Sequence, residues 1–213
     1  WVDKKGVVQR KQIAESVIHV DRRMTYTNVN KILTDSDDEV MQEYLELVPM
    51  FRMMKQLSDI LRANRSRRGA IDFEFPESKI ILNASGKPVD IRAYEHNAAT
   101  NLIEDFMLLA NETVAKEYCS KEIPFLYRTH ENPDMDKMEG VLTFIRSQGI
   151  EVNKSMEEIT PKEIQEILEK IEGSPMEPLI SRLLLRSMKQ ARYTTGCSGH
   201  FGLAARYYCH FTS

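Results

Sequence analysis

The sequence has few of the features that mark several classes of protein. It contains only three cysteines among 213 residues, Cys119, Cys197 and Cys209, and no two of them form a Cys-x-x-Cys pair. A sparse, odd-numbered set of cysteines argues against a disulfide framework and favours a reducing compartment, so we expect a cytoplasmic protein. No apolar run reaches the roughly 18 residues that cross a membrane, and no signal-peptide pattern opens the chain.

The chain also lacks a strong charge of either sign. Its formal net charge is −3 with 29% charged residues, which gives no global basic field of the kind that marks many nucleic-acid binders. Any contact with RNA or DNA must therefore be local. An apolar content of 42% is enough for one sizeable core, or for one core with a helical subdomain.

The most apolar stretch is predicted to form a long central helix over residues 96–118. Its apolar residues cover almost the whole circumference of a helix, and Asn97 or Asn101 is a candidate N-cap. Two carboxylates, Glu104 and Asp105, interrupt this run. They are either a solvated stripe or structural acids paired with an arginine, or one of them accepts a hydrogen bond from a ligand hydroxyl.

The residues before this helix predict a strand, several helices and a hairpin. Residues 12–20 alternate like a strand, with a turn at Gly6 before them. Thr25 or Thr27 caps a short helix over residues 28–33 with Tyr26 at its entrance, and Pro49 divides the next helical region in two. Residues 71–93 have a period of two and predict a hairpin or a three-stranded meander.

Two clusters resemble metal sites but have plainer explanations. The acids of residues 35–38 precede a helix, where carboxylates satisfy free backbone N–H groups, so we interpret them as a cap. Cys197, His200, Cys209 and His210 lack the usual spacing of a structural zinc site. We assign no metal ligand and no catalytic residue within residues 1–213.

A basic cluster, Arg62, Arg65, Arg67 and Arg68, ends the helix before the hairpin. It suits a helix C-terminus that stops at Gly69, and it also has the charge to bind phosphates. Phe73 follows it and is either a core residue or a ring that stacks on a base.

The rest of the chain predicts mainly helices. These are residues 134–148, residues 161–171 opened by Thr160 and Pro161, and residues 178–191, with a short extended segment at residues 123–128. The predicted fold class is α+β, a helix-rich arrangement with a small antiparallel sheet packed on the long central helix.

Six separate segments, in order, resemble the ribonuclease II and ribonuclease R (RNB) family of exoribonucleases. The segments are MTYTNVNKIL (24–33), RGAIDF (68–73), GKPVDI (86–91), LIEDFMLLANETVA (102–115), LLLRSMKQARY (183–193), and GHFGLA with HFTS at the end of the chain. The resemblance implies a catalytic domain that hydrolyses single-stranded RNA processively from its 3′ end, with Mg²⁺, to nucleoside monophosphates. It implies neither a membrane partner nor a stable DNA complex.

The resemblance also implies roles for three residues. Tyr26 matches the family aromatic that sets the register of the last bases and the end product. Phe73 matches the aromatic that caps the terminal base stack, and Glu104 matches the acid that reads a ribose 2′-OH, the group that distinguishes RNA from DNA.

The resemblance covers only part of the family's catalytic domain. The family's metal-binding aspartates precede the segment that matches residue 1, and its phosphate-stabilising arginine follows HFTS, so residues 1–213 are interpreted as a partial RNB catalytic domain. We expect no activity from this chain alone. The alternative hypothesis is a non-catalytic helical interaction module whose cluster of Arg62 to Arg68 docks an acidic partner.

Overall fold

A computed structural model describes residues 1–73, 78–93, 96–152 and 159–211. The chain divides into two compact units. Unit 1 comprises Trp1–Ile60 and Glu74–Met107, and unit 2 comprises Leu61–Phe73 and Leu108–Ser213. Helices and short antiparallel strand pairs make up the structure, which confirms the predicted α+β class.

The regular structure begins with three helices, the first two of which start at a side-chain cap, and the third begins in unit 1 and ends in unit 2. Helix α1 is Tyr26–Leu33, and the Thr25 side chain accepts a hydrogen bond from the backbone N–H of Asn28 at 3.2 Å. Helix α2 is Asp38–Glu43, and helix α3 is Val48–Arg68 with Pro49 in its first turn. Proline is tolerated there because the first N–H groups of a helix have no partner inside the helix.

The acidic stretch at residues 35–38 is a cap, as predicted. The Asp37 carboxylate accepts the backbone N–H of Val40 at 3.1 Å and pairs with Lys31 at 2.7 Å. Asp35 pairs with Arg52 at 2.7 Å. These contacts hold the pKa of Asp37 below its usual value, chiefly through the hydrogen bond from Lys31. The carboxylates are therefore explained by helix capping and ion pairs.

The predicted hairpin is present but is not buried. Strands β1 (Ser78–Leu82) and β2 (Pro88–Ala93) pair antiparallel around a turn that needs the positive φ of Gly86. Ile80, Leu82, Val89 and Ile91 lie on one face and are each more than half exposed. The expected packing of this sheet on the central helix is therefore not observed for these side chains.

Helix α4, Ala98–Ser120, is the predicted central helix. The Asn97 side chain accepts the backbone N–H groups of Ala99 and Thr100 at 3.0 and 3.1 Å, so Asn97 is the cap and the helix starts there rather than at Asn101. Ala99 packs in the core of unit 1 with residues of the first and third helices. That core consists of Val29, Ile32, Val48, Phe51 and Ala99.

Unit 2 contains the remaining elements. They are β3 (Tyr127–Thr129), α5 (Met135–Ser147), α6 (Pro161–Ile171), α7 (Glu177–Ser187) and β4 (Arg192–Thr194), and β3 pairs antiparallel with β4. Helix α6 starts with a capping box in which Thr160 and Glu163 satisfy each other's backbone N–H groups. Apolar residues of the three helices form its main core, which includes Met138, Leu142, Ile164, Ile180 and Leu184.

Some local predictions were wrong because the structures depend on contacts with distant segments of the chain, which a sequence pattern does not reveal. Residues 12–20 form no strand in the described part of the chain, and Val17 is fully exposed. The turn at Gly6 is present, with Val2 and Val8 joined by a single bridge. Helix α7 ends at Ser187 rather than residue 191, because the following residues lead into β4, which pattern did not predict. Residues 74–77 of the expected hairpin lie outside the described residues.

The structure also joins Cys119 and Cys197 in a disulfide, contrary to the expectation from composition. Cys119 lies near the end of α4 and Cys197 lies just after β4, 78 residues later, with their Cα atoms 6.3 Å apart. That separation is within the range a disulfide spans, and only the tertiary fold brings the two residues together. Cys209 remains a buried thiol.

Candidate RNA-binding site

Tyr26 lies at the edge of an apolar groove in unit 1. It is the first residue of α1 and is 51% exposed. The groove has a volume of about 820 Å³. Its apolar lining consists of Val20, Met24, Tyr26, Val29, Leu47, Met50, Phe51, Met54, Ala99, Leu102 and Ile103. A groove of this kind, with a ring at its edge, suits a flat, largely apolar group such as a nucleobase.

The groove is built by joining α1 to the start of α4. The Asn30 side chain accepts the backbone N–H of Ala98 at 3.1 Å, which satisfies a donor that the first turn of α4 leaves free. The first turns of α4 then contribute Ala99, Leu102 and Ile103 to the lining. Polar residues line another part of the groove, namely His19, Asp21, Arg22 and Thr25.

Glu104 is exposed on α4, directly after Ile103 of the groove lining. It is not itself a lining residue. Within the described part of the chain, its carboxylate has neither a hydrogen bond nor an ion pair. An exposed acid with its acceptor oxygens unused is available to a ligand hydroxyl, as its proposed role requires.

Asp105 is adjacent in sequence but has the opposite environment. It is 0% exposed, and the Ser58 hydroxyl of α3 donates a hydrogen bond to its carboxylate. A buried carboxylate with hydrogen-bond partners is a structural group that stabilises the packing of its helix. The sequence left three explanations open for the two acids, and the structure shows that Glu104 is exposed whereas Asp105 is a buried structural acid that accepts from Ser58.

Phe73 belongs to unit 2, whereas Tyr26 and Glu104 belong to unit 1. Phe73 is partly buried and packs against the main core of unit 2. Its neighbour Ile71 donates its backbone N–H to the carbonyl of Gly202 at 2.8 Å, which fixes this segment. Core packing therefore accounts for at least one side of the ring, and its role in capping the base stack stays a prediction.

The basic cluster at the end of α3 is largely engaged in internal contacts. Arg68 forms two hydrogen bonds with the Glu112 carboxylate, at 2.9 and 2.7 Å, and a third with the carbonyl of Leu203 at 3.2 Å. Arg67 contacts the Asn64 side chain and the carbonyl of Ala63. The cluster therefore ties helix ends and loops together, which gives little support to its use as a docking surface.

Two histidines of unit 2, His130 and His200, hold a turn by accepting backbone hydrogen bonds. The sequence pattern pointed to His200 only as a possible zinc ligand and did not point to His130. Nδ1 of His130 accepts the backbone N–H of Gly202 at 3.2 Å, and Nδ1 of His200 accepts that of Leu203 at 3.3 Å. The ring centroids are 5.0 Å apart. Burial lowers the pKa of His130, and burial with the nearby His130 and Arg128 lowers the pKa of His200 to about 4. Both rings are therefore neutral acceptors at neutral pH.

We expect acid to weaken unit 2 through His200. Its folded-state pKa of about 4 lies below the ordinary 6.5, so the unfolded chain binds more protons between these values. The contribution of His200 is complete above pH 6.5 and is lost as pH falls towards 4, by at most about 3 kcal/mol. Urea unfolding at pH 7 and pH 5 measures this loss. A His200→Asn variant keeps an acceptor but cannot titrate, so it should lose less stability; an equal loss in both proteins would contradict the assignment.

The described residues do not form a metal centre. Among residues 1–73, 78–93, 96–152 and 159–211, no group of three or more His, Cys, Asp or Glu side chains could hold an ion. The Mg²⁺ that the family resemblance implies therefore has no fitting set of ligands there, and we derive no chemical step through it. No helix in the described ranges is both long enough and apolar enough to cross a membrane.

Comparison with known proteins places these features in a family. A sequence model of the RNB domain matches residues 1–213. Ribonuclease R 1 of Lactococcus lactis is 42% identical over 212 residues, which cover 100% of this chain and 26% of that protein. Ribonuclease R of Aquifex aeolicus is 41% identical over 211 residues, 99% of this chain and 30% of that protein.

Solved structures agree with the sequence relatives. The RNase R of Mycoplasma genitalium in complex with ribose-methylated single-stranded RNA has a TM-score of 0.86 and 28% identity, covering 100% of this chain and 33% of that one. Yeast Ssd1, described as a pseudonuclease, has a TM-score of 0.61 and 18% identity over 89% of this chain and 23% of its own. That likeness shows the fold alone, and a fold does not establish catalysis. With the family match over residues 1–213 and relatives above 40% identity, this chain belongs to the RNB family of ribonucleases.

Proposed function

We propose that this chain is part of a processive 3′-to-5′ exoribonuclease that hydrolyses single-stranded RNA to nucleoside monophosphates in the cytoplasm, and that it carries part of the RNA channel. The observation that carries the proposal is the exposed Tyr26 at the edge of an apolar groove. Ile103 of α4 lines this groove, and the next residue, Glu104, is exposed and has no ion pair with any described residue. A base stacks on a ring without regard to its identity, as a general RNA degrader requires.

The proposed roles follow from what each side chain offers. Tyr26 contacts the last bases and sets the register of the 3′ end, and Phe73 caps the base stack. Glu104 accepts a hydrogen bond from a ribose 2′-OH, which DNA lacks. These are binding and positioning roles, and none of the three residues performs the hydrolysis.

The chain spans about a quarter to a third of the length of the relatives it matches. The activity of the whole protein is therefore part of the proposal. Hydrolysis of a phosphodiester needs an activated water and neutralisation of the phosphate charge, and in this family Mg²⁺ supplies that chemistry when it is bound. The described residues offer no set of ligands for Mg²⁺, and we assign no catalytic residue among them. The Mg²⁺ ligands would therefore come from other parts of the parent protein.

Incubation with Mg²⁺ and single-stranded RNA tests the proposal, with a 5′ label to follow shortening and a uniform label to follow released mononucleotides. We expect the full-length parent to shorten the RNA from its 3′ end and to release mononucleotides. We expect the 213-residue chain alone to release none. Failure of the parent to degrade RNA would refute the proposed function, and robust release by the isolated chain would show that the catalytic groups lie within it.

Replacement of Tyr26 by alanine in the parent is expected to lengthen the limit product, because the last nucleotides lose the ring that holds them near the 3′ end. Stacking on one ring is worth about 1–3 kcal/mol per base, so products a few nucleotides long should dissociate before cleavage. Denaturing gels of the end products measure this, and Tyr26→Phe, which keeps the ring, is the matched control.

An unchanged product ladder would remove Tyr26 from this role. If the variant instead changed only the RNA-to-DNA rate ratio, Tyr26 would act with Glu104 in sugar recognition. The two readouts therefore separate a register role from a sugar-reading role.

A further inference from the structure

An arginine and a tyrosine face each other on the small sheet of unit 2. Arg128 of β3 and Tyr193 of β4 are direct cross-strand partners, so both side chains lie on one face. The Arg128 guanidinium carbon lies 4.8 Å from the centroid of the Tyr193 ring. Tyr127 and Thr129 point to the opposite face and are buried, which fixes the strand that carries Arg128.

Arg128 contacts an aromatic ring rather than an acid. In the part of the chain that the structure describes, no carboxylate pairs with its guanidinium. On the neighbouring strand, Arg192 pairs with the Glu131 carboxylate, which also pairs with Lys189 at 3.0 Å. An arginine stacked on a ring has already lost much of its rotamer freedom, yet it keeps its N–H donors for an outside ligand.

The segment that contacts Tyr193 carries further exposed rings. The Tyr193 hydroxyl donates to the backbone carbonyl of His210 at 3.4 Å, which ties the end of the described chain to the sheet. Tyr193 is 42% exposed, His210 is exposed, and Phe211, the residue after His210, is 50% exposed. We call Arg128, Tyr193, His210 and Phe211 the Arg128 patch.

The patch is held from beneath by buried polar contacts. The backbone N–H of Arg128 donates to the carbonyl of Tyr208 at 3.0 Å. The Tyr208 hydroxyl lies 3.2 Å from Nδ1 of His210 and accepts from the Asn111 amide at 3.5 Å. The exposed groups therefore stand on a rigid support, and little ordering remains to be done when a ligand binds.

We propose that the Arg128 patch is a contact site for single-stranded RNA, additional to Tyr26, Phe73 and Glu104, in which Arg128 binds a backbone phosphate and the exposed rings stack on a neighbouring base. This inference rests on the proposed function, because it takes RNA as the ligand. A planar guanidinium binds phosphate oxygens through two parallel hydrogen bonds, and every base can stack on an aromatic ring. An acidic protein partner would use the charge of Arg128 but would not need the exposed rings.

Binding of a labelled single-stranded oligoribonucleotide to the full-length parent tests the patch. Fluorescence anisotropy in EDTA, which prevents hydrolysis, is measured across a series of salt concentrations. We expect Arg128→Ala to weaken binding by about 10-fold at 0.1 M salt and to reduce the slope of log K against log salt by about 0.7, the value for one phosphate on a single strand. Phe211→Ala should weaken binding by about 5-fold or more with no change in slope.

Two variants serve as controls. Arg192→Ala removes the same charge from the same sheet, but from an arginine already paired with Glu131, so its affinity and slope should stay within about twofold of the wild type. Arg128→Lys retains the charge without the planar donor pair and should bind with intermediate affinity. If Arg128→Ala unfolds at a lower temperature than the wild type, Arg128→Lys is compared with Arg192→Ala in its place.

The outcomes separate this inference from the proposed function. If the wild-type parent fails to bind or degrade RNA, the proposed function fails. If the wild type binds RNA and the Arg128 variants bind as Arg192→Ala does, the patch is not an RNA site and the proposed function stands.

Discussion

Replacing Glu104 with alanine in the full-length parent is expected to reduce the ratio of RNA to DNA degradation rates by about 10- to 100-fold. A hydrogen bond to a charged group contributes about 1.5–3 kcal/mol, and only RNA has the 2′-OH that donates it. The degradation rate on RNA should therefore fall, while the slow rate on DNA stays nearly constant. Single-turnover rates on RNA and DNA oligonucleotides of the same sequence measure the ratio.

Glu104→Gln is the informative companion variant. It keeps an acceptor oxygen but removes the charge, so its ratio should lie between those of the wild type and Glu104→Ala. Glu104 is exposed, so neither change should shift the free energy of unfolding by more than about 0.5 kcal/mol. An RNA-to-DNA ratio equal to that of the wild type would remove Glu104 from sugar recognition.

Replacing the next residue, Asp105, with alanine is expected to lower the stability of the fold rather than to act on sugar recognition. Asp105 is fully buried and accepts a hydrogen bond from Ser58, so its loss leaves a buried hydroxyl without its acceptor and a small void. We expect a loss of about 3–5 kcal/mol in the free energy of unfolding. For a chain of this size that corresponds to roughly 6–20 °C in melting temperature.

Urea and thermal unfolding of the 213-residue chain measure this effect, with Glu104→Ala as the matched control one position away. Asp105→Asn keeps an oxygen that can accept from Ser58 and should recover part of the loss. If Asp105→Ala were as stable as Glu104→Ala, the buried hydrogen bond would not be a stabilising element of unit 1.

Sequence patterns predicted the helices because the signals are local. The caps at Asn97, Asp37 and Thr160 act on backbone groups two or three residues away, so their effect is visible without any knowledge of the fold. The apolar run of α4 predicted its type and length for the same reason. The acids at residues 35–38 could likewise be assigned to capping rather than metal binding.

Patterns failed where a feature depends on a distant partner. Residues 12–20 alternate like a strand, but a strand forms only when another backbone accepts and donates its hydrogen bonds, and no described segment does so. The short strand β4 was missed because only its pairing with β3 defines it. The disulfide between Cys119 and Cys197 joins residues that are 78 positions apart.

The amino-acid sequence alone determined the family, the presence of most helices, and a short list of residues with the right chemistry to bind RNA. Only the tertiary structure decided which of two adjacent acids faces outward, that the cluster of Arg62 to Arg68 is engaged internally, and that Arg128 contacts a ring and no described carboxylate. The reason is physical. A residue's type specifies what it can donate or accept, whereas its burial and its partners depend on segments that are distant in sequence and meet only when the chain folds.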